Sequence, residues 1–215
     1  LINNQQSGSD ILVIDDNSPD GTARKVEDLK LKNIFLIERE SKQGLGSAYV
    51  KGFKWALSNN YDRIIQMDAD LSHDPIEINP MFELLDNNDL VIGSRYIGGL
   101  RVINWPVSRL YISYFANIYA RIITGVPVKD LTAGFKAWKS DTLNKINIEE
   151  CSSQGYCFQI ETSFRAHQKS CKLIEHPIVF TDRTVGESKM SKSVMIEAIF
   201  KVWLLGFWRL FKLKR

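Results

Sequence analysis

Three cysteines, Cys151, Cys157 and Cys171, are too few and too loosely spaced for a disulfide framework or a zinc site, and their odd number points to free thiols in a reducing compartment. Histidine is equally scarce, and His73, His167 and His176 make no metal-binding pair with one another. An excess of one charge is also lacking. A formal net charge of +3, with basic residues clustered only at the very end, argues against a nucleic-acid partner. There is no internal repeat and no low-complexity stretch. The opening residues carry no secretory-signal pattern, and the chain begins with Leu1 rather than Met. The most apolar segment, near the C-terminus, is interrupted by Glu197, Lys201 and Arg209, which argues against a membrane-spanning helix.

What remains is a chain of 215 residues, 44% hydrophobic and 25% charged, enough for one sizeable core. Short apolar runs at Ile11–Ile14, Asn33–Glu38, Arg63–Met67 and Leu90–Ile92 read as strands. Helical spacing appears between them, at Thr22–Leu29, Gly44–Ser58 and after Pro75, which suits a first helical turn. Alternation at this pace predicts an α/β domain with a mainly parallel sheet flanked by helices. In such sheets ligands sit at the carboxyl ends of the strands. Three strands here end in polar clusters, Asp15-Asp16, Asp68-Ala69-Asp70 and Ser94-Arg95, which are expected to meet in one crevice.

The second half is different. Pro106–Thr124 predicts a long helix with Arg109, Ser113, Asn117 and Arg121 in one narrow row and a wide apolar arc from Leu110, Tyr111, Ile112, Tyr114, Phe115, Ile118, Ile122 and Ile123 elsewhere. That arc fits a buried core helix as well as a helix at a membrane surface or along an acyl chain. Lys172–Thr181 reads as a late strand. Val194–Phe211 reads as an aromatic amphipathic helix followed by Lys212, Lys214 and Arg215. It suits a membrane interface, and equally docking on the chain's own core or a partner subunit.

Asp68 and Asp70 are the strongest chemical feature. Two carboxylates one residue apart at a strand end need a counter-charge, and a hard divalent ion shared with nucleotide phosphates supplies one. The same pair could instead cap the helix that follows. Asp15 and Asp16 fit turn formation or hydrogen bonding to a base or ribose. Arg183, Ser188 and Lys189 lie in a loop around Gly186 whose guanidinium, hydroxyl and ammonium could hold phosphate, although basic loops are usually only solvated.

Taken in order, seven segments resemble one family. They are Val13-Ile-Asp-Asp-Asn-Ser-Pro-Asp-Gly-Thr22, Gly44-Leu-Gly-Ser-Ala-Tyr49, Met67-Asp-Ala-Asp-Leu-Ser-His-Asp-Pro75, Ile92-Gly-Ser-Arg-Tyr96, Asp130-Leu-Thr-Ala-Gly-Phe135, Gly155-Tyr-Cys-Phe-Gln-Ile-Glu161 and Asp182-Arg-Thr-Val-Gly-Glu-Ser-Lys189. The set, spanning roughly residues 10–192, is similar to the dolichyl-phosphate (polyprenyl-phosphate) mannose synthases, inverting glycosyltransferases of the GT-A (Rossmann-like) fold.

The resemblance implies GDP-mannose as donor, polyprenyl phosphate as acceptor, and Mg or Mn as the metal. It implies nucleotide-sugar binding by Asp15, Asp16, Gly44, Asp68 and Arg95, and metal binding by Asp70 with Asp68 as a second candidate. Arg109, Arg183 and Lys189 join Asp70 as the catalytic set, holding donor and acceptor phosphates. Asp130, Gln159, Glu161 and Ser188 fall on the acceptor side, Asp130 with a structural role equally open. Residues 1–193 are expected to form the catalytic domain. Residues 194–215 are expected to form the amphipathic helix, peripheral on the cytoplasmic face of a membrane.

Family members usually begin with a strand ending in Pro-Thr-Tyr-Asn-Glu. Nothing like it precedes Leu1, so the sequence is expected to lack the protein's natural start. Rival readings are a glucose or N-acetylhexosamine donor, a hydroxyl acceptor with Asp130 or Glu161 as base, a nucleotidyltransferase, and a non-enzymatic membrane scaffold.

Overall fold

The computed structural model describes residues 2, 8–182 and 192–211, the last segment with side chains from residue 198 onward. Arg183, Ser188 and Lys189 therefore lie outside the described residues. Strands β1 (Ile11–Asp15) and β2 (Ile34–Glu38) pair in parallel, connected by helix α1 (Thr22–Asp28). Helix α2 (Leu45–Ser58) leads to β3 (Arg63–Gln66), and a 3-10 turn at Pro75–Glu77 opens helix α3 (Ile78–Leu85). Next come β4 (Leu90–Ser94), β5 (Val102–Ile103), helix α4 (Val107–Thr124), β6 (Lys136–Lys139), helix α5 (Ser140–Lys145) and helix α6 (Gly155–Gln168). The late strand is two strands, β7 (Leu173–Pro177) and β8 (Phe180–Thr181), before helix α7 (Lys192–Leu210).

Four strands form a mixed sheet in the order β3-β6-β4-β7. Strands β3, β4 and β7 share one direction, and β6 runs against β3 and β4. The pair β1-β2 is a separate sheet among the described residues, and α2 packs on both β1 and β3, holding the two sheets together. Strand β4 is buried along its whole length, as a central strand covered on both faces must be. Its side chains alternate between two cores. Leu90 and Ile92 join Trp138 and Phe158 on one side, while Val91 joins Ala137, Phe135 and the Ile78, Met81 and Leu85 face of α3 on the other. The Ile178 N–H makes the last bond to β4, at Ser94 O (3.0 Å), after which Phe180 donates to Arg101 O (2.9 Å) and β8 pairs with β5, so the late strand is split in two.

The two amphipathic helices depart from the usual polar-out rule in different ways: α4 turns a polar row inward, and α7 carries apolar side chains on both its docked and its outer side. In α4 the polar row turns inward. Asn117 is buried and bonds Thr132, and the Ser113 hydroxyl is bonded by Tyr96, while Arg121 stays exposed. The apolar arc faces outward, with Ile122 72% exposed and Phe115 60%. The two readings left open for that arc divide it: most of its side chains are exposed, while Ile123 packs against the core. Helix α7 docks on α4 and α6 through Val202, Leu205 and Gly206, and Arg209 reaches the last carbonyls of α4 at Ile122 and Ile123. Its other side leaves Phe200, Trp203, Phe207 and Leu210 exposed. Docking on the chain's own core and an outward apolar face thus coexist. Among the described residues no helix is long and apolar enough to cross a membrane.

Candidate active site

Strand β3 ends at buried Gln66, and the loop beyond it is shaped by local bonds. The Asp68 N–H donates to His73 Nδ1 (3.1 Å), so that nitrogen is an acceptor. Burial pushes the His73 pKa below its ordinary value, consistent with a neutral ring. The Tyr49 hydroxyl donates to Asp68 Oδ1 (2.8 Å) from a ring stacked on Phe158. Burial first, then Asp68, raise the Tyr49 phenol well above its ordinary value and keep it a donor. Leu71 adopts the left-handed conformation (φ 65°), rare for a branched residue, and turns the chain so that the Ser72 N–H reaches Asp70 Oδ1 (3.1 Å).

Ser72 Oγ is buried and has no hydrogen-bond partner among the described residues. No trio of His, Cys, Asp or Glu that could hold a metal forms among them either. Two carboxylates and an orphaned hydroxyl are nevertheless hard oxygen donors. They are of the donor type that a divalent ion such as Mg or Mn takes, and any further ligands would have to come from outside this trio. Ser72 escaped the sequence reading, and its spacing two residues beyond Asp70 was the available signal.

At the end of β1, where the resemblance places nucleotide binding, Asp15 is buried and accepts the Ser18 N–H (2.9 Å). Asp16 is ion-paired with Arg39, whose side chain is only 3% exposed. Arg39 also donates to Ser47 Oγ (2.7 Å) and Gly44 O (3.3 Å). Gly44 has φ 98°, and a Cβ there would lie 2.3 Å from Gln154 Oε1, the atom that accepts the Gly46 N–H. Only glycine fits that contact. Arg39 and Gln154 were missed. Strand pairing was the signal for Arg39: the register Asp15↔Glu38 makes residues 16 and 39 neighbours just past paired strand ends.

Arg95 and Asp130 form a bidentate pair (2.7 and 2.6 Å), with the Arg95 N–H and Thr132 Oγ1 completing it. Both side chains are buried. Burial opposes the Arg95 charge, but Asp130 outweighs it and raises the pKa above the ordinary value. Arg95 donors are thus directed to Asp130 and Thr132, and its guanidinium lies against Trp105 and Phe180 (5.2 and 5.6 Å). Arg109 is partly exposed. It lies over Trp105 (4.3 Å) and pairs with Asp182 (2.6 Å), the residue before Arg183 in the sequence. Gln159 is buried against Gln66 (2.7 Å), and Glu161 is buried between the Arg165 side chain and the Ser153 N–H (2.9 and 3.1 Å).

Stepwise contacts link several of these groups. Helix α2 carries Ser47 toward Arg39 and Asp16, and Tyr49 toward Asp68. From Asp68, rings run through His73 and Phe180 to Trp105 and Arg109. Gln159, Glu161 and Asp130 are buried, bonded to Gln66, Arg165 and Arg95 respectively.

Residues 1–146 match the family model described as "Glycosyl transferase family 2". The undecaprenyl-phosphate mannosyltransferase of Micrococcus luteus is 42% identical over 92% of this chain and 82% of its own length. The polyprenol monophosphomannose synthase of Mycolicibacterium smegmatis is 45% identical over 89% of this chain and 74% of its own. Among solved structures, glucosyl-3-phosphoglycerate synthase from Mycobacterium tuberculosis, in complex with Mn2+, uridine diphosphate and glucosyl-3-phosphoglycerate, superposes with a TM-score of 0.65 at 14% identity, covering 92% of this chain and 69% of that one. The chain belongs to glycosyl transferase family 2 and is a glycosyltransferase of GT-A fold. Within that class the relatives at 42% and 45% identity bear out the resemblance to polyprenyl-phosphate mannose synthases.

Proposed function

We propose that this glycosyltransferase moves mannose from GDP-mannose to polyprenyl phosphate, with inversion, giving polyprenyl-phosphate mannose. The names of the two relatives support the sugar and the lipid class. The observation that carries the choice of acceptor is the state of Asp130 and Glu161. A hydroxyl acceptor needs a carboxylate base, and both candidates are buried in ion pairs with Arg95 and Arg165. A phosphate acceptor is already an anion and needs none.

In this reading Asp15 and Asp16 hold the nucleotide, with Asp16 oriented by Arg39. Asp70, Asp68 and Ser72 hold the divalent ion, which when bound neutralises charge on the leaving diphosphate. Arg109, Arg183 and Lys189 bring the acceptor phosphate toward the donor despite mutual repulsion. An acceptor phosphate oxygen attacks the anomeric carbon from the face opposite the diphosphate. The new carbon–oxygen bond forms as the bond to the diphosphate breaks, and GDP departs with the electron pair. No proton moves. The outward apolar faces of α4 and α7 rest on the cytoplasmic face of a membrane, where the lipid resides.

The test is incubation with GDP-mannose, Mn and polyprenyl phosphate, followed by mass spectrometry of the lipid. A mannosylated lipid phosphate is expected. Product only from UDP-glucose or UDP-N-acetylhexosamine, or only with a hydroxyl acceptor, sends the reading to a related transferase. Asp70→Ala is expected to abolish product at every metal concentration, and activity retained without metal removes its assigned role.

A further inference from the structure

We propose that Trp105 is a positioning residue that aims the Arg109 guanidinium at the acceptor phosphate. The proposal rests on the role given to Arg109 above. Arginine on the first turn of an outward-facing helix has a long flexible side chain, and unsupported it would sample many directions. Here it is held from two sides. Its guanidinium carbon lies 4.3 Å from the Trp105 ring centroid, and its Nη1 lies 2.6 Å from Asp182 Oδ2.

Both supports reach Arg109 because β5 and β8 pair. The register Val102↔Phe180 and Ile103↔Thr181, extended by the Asp182 N–H to Ile103 O (3.0 Å), brings the segment leading to Trp105 beside the segment ending at Asp182. The backbone of Trp105 is restricted as well. Asn104 is left-handed (φ 64°), and Pro106 holds the preceding residue near extended geometry.

The ring has two cations near it and keeps them distinct. Arg95 lies 5.2 Å from the same ring, buried and committed to Asp130, while Arg109 is 21% exposed. Phe180 meets the indole in a T-shaped contact at 5.6 Å and fixes its plane. The indole Nε1 is buried with no hydrogen-bond partner among the described residues. What the site uses is therefore the face of the ring, and the attraction of a partly desolvated cation for that face orients Arg109.

The experiment measures KM for polyprenyl phosphate in detergent and KM for GDP-mannose separately, in Trp105→Leu, Trp105→Phe, Arg109→Ala and the Leu–Ala double variant. Trp105→Leu keeps apolar bulk and removes the π face. It is expected to raise the acceptor KM about tenfold while the donor KM stays within about twofold. Trp105→Phe keeps a face and recovers most of the loss. The double variant is no worse than Arg109→Ala alone. Additive losses, an unchanged acceptor KM in Trp105→Leu, or equal rises in both KM values overturn the proposal while the reading of Arg109 stands. An acceptor KM unmoved by Arg109→Ala overturns both.

Discussion

Lys136 lies on β6 with no exposed surface, and its Nζ is within hydrogen-bond distance of Gln159 O, Thr162 Oγ1 and Ser163 Oγ (2.7, 3.2 and 3.0 Å). Burial pushes its pKa from 10.5 down to about 7, with Asp130 pulling the other way. Below pH 7 the amine is charged in both folded and unfolded chains, so it contributes no slope. Between about 7 and 10.5 the unfolded chain keeps a proton that the folded chain has shed, so stability from this group rises with pH across that window. Urea unfolding followed through that range is expected to show the rise, and Lys136→Met is expected to flatten it. An unchanged slope in the variant assigns the pH dependence to another group. The polar residues of α6 hide for the same reason. Gln159, Glu161, Thr162 and Ser163 are buried because each finds a partner inside, and a hydropathy pattern cannot register that pairing.

At the level of elements, α4 and α7 form one surface. Gly206 is what lets them meet, since a Cβ there would lie 2.4 Å from Ile123 Cγ2. Overpacking of that kind costs about 1–3 kcal/mol, and Gly206→Leu is expected to lower the thermal midpoint and loosen α7 from α4. The outward aromatics make a different prediction. Phe115→Ser, Phe200→Ser and Trp203→Ser together remove side chains that are 60%, 71% and 61% exposed, so folding changes little. Sedimentation with anionic vesicles is expected to fall at least about tenfold while GDP binding persists. Vesicle binding that survives the triple change would assign membrane contact to another surface. The sequence left the α4 arc open between core and lipid. Periodicity records that one side is apolar and says nothing about which side the core occupies.

Across the whole molecule, one chain of contacts joins α6 to Asp16. Arg165 holds Glu161, and Glu161 accepts the Ser153 N–H. The next residue, Gln154, bonds Gly46, and Arg39 joins Gly44 O to Asp16. Arg39→Ala leaves Asp16 without its partner and frees the start of α2. GDP affinity with Mn, read by calorimetry, is expected to fall at least about tenfold, the cost of losing a buried charged hydrogen-bond set. Arg39→Lys is expected to recover only part, since an ammonium lacks the planar fork. GDP affinity unchanged in both variants would place the nucleotide elsewhere.

Residue order alone determined the alternation of strands and helices, the acids at strand ends and the family, because hydropathy period and motif spacing are properties of neighbours along the chain. Tertiary structure alone decided which charges are buried in pairs and which stay open to water. Arg95 and Arg109 look alike in sequence, yet one is buried against Asp130 and the other is partly exposed over Trp105. The physical reason is that a charged group's role follows from its partners and its access to water. Here the partner can be far along the chain, as Asp182 is 73 residues from Arg109.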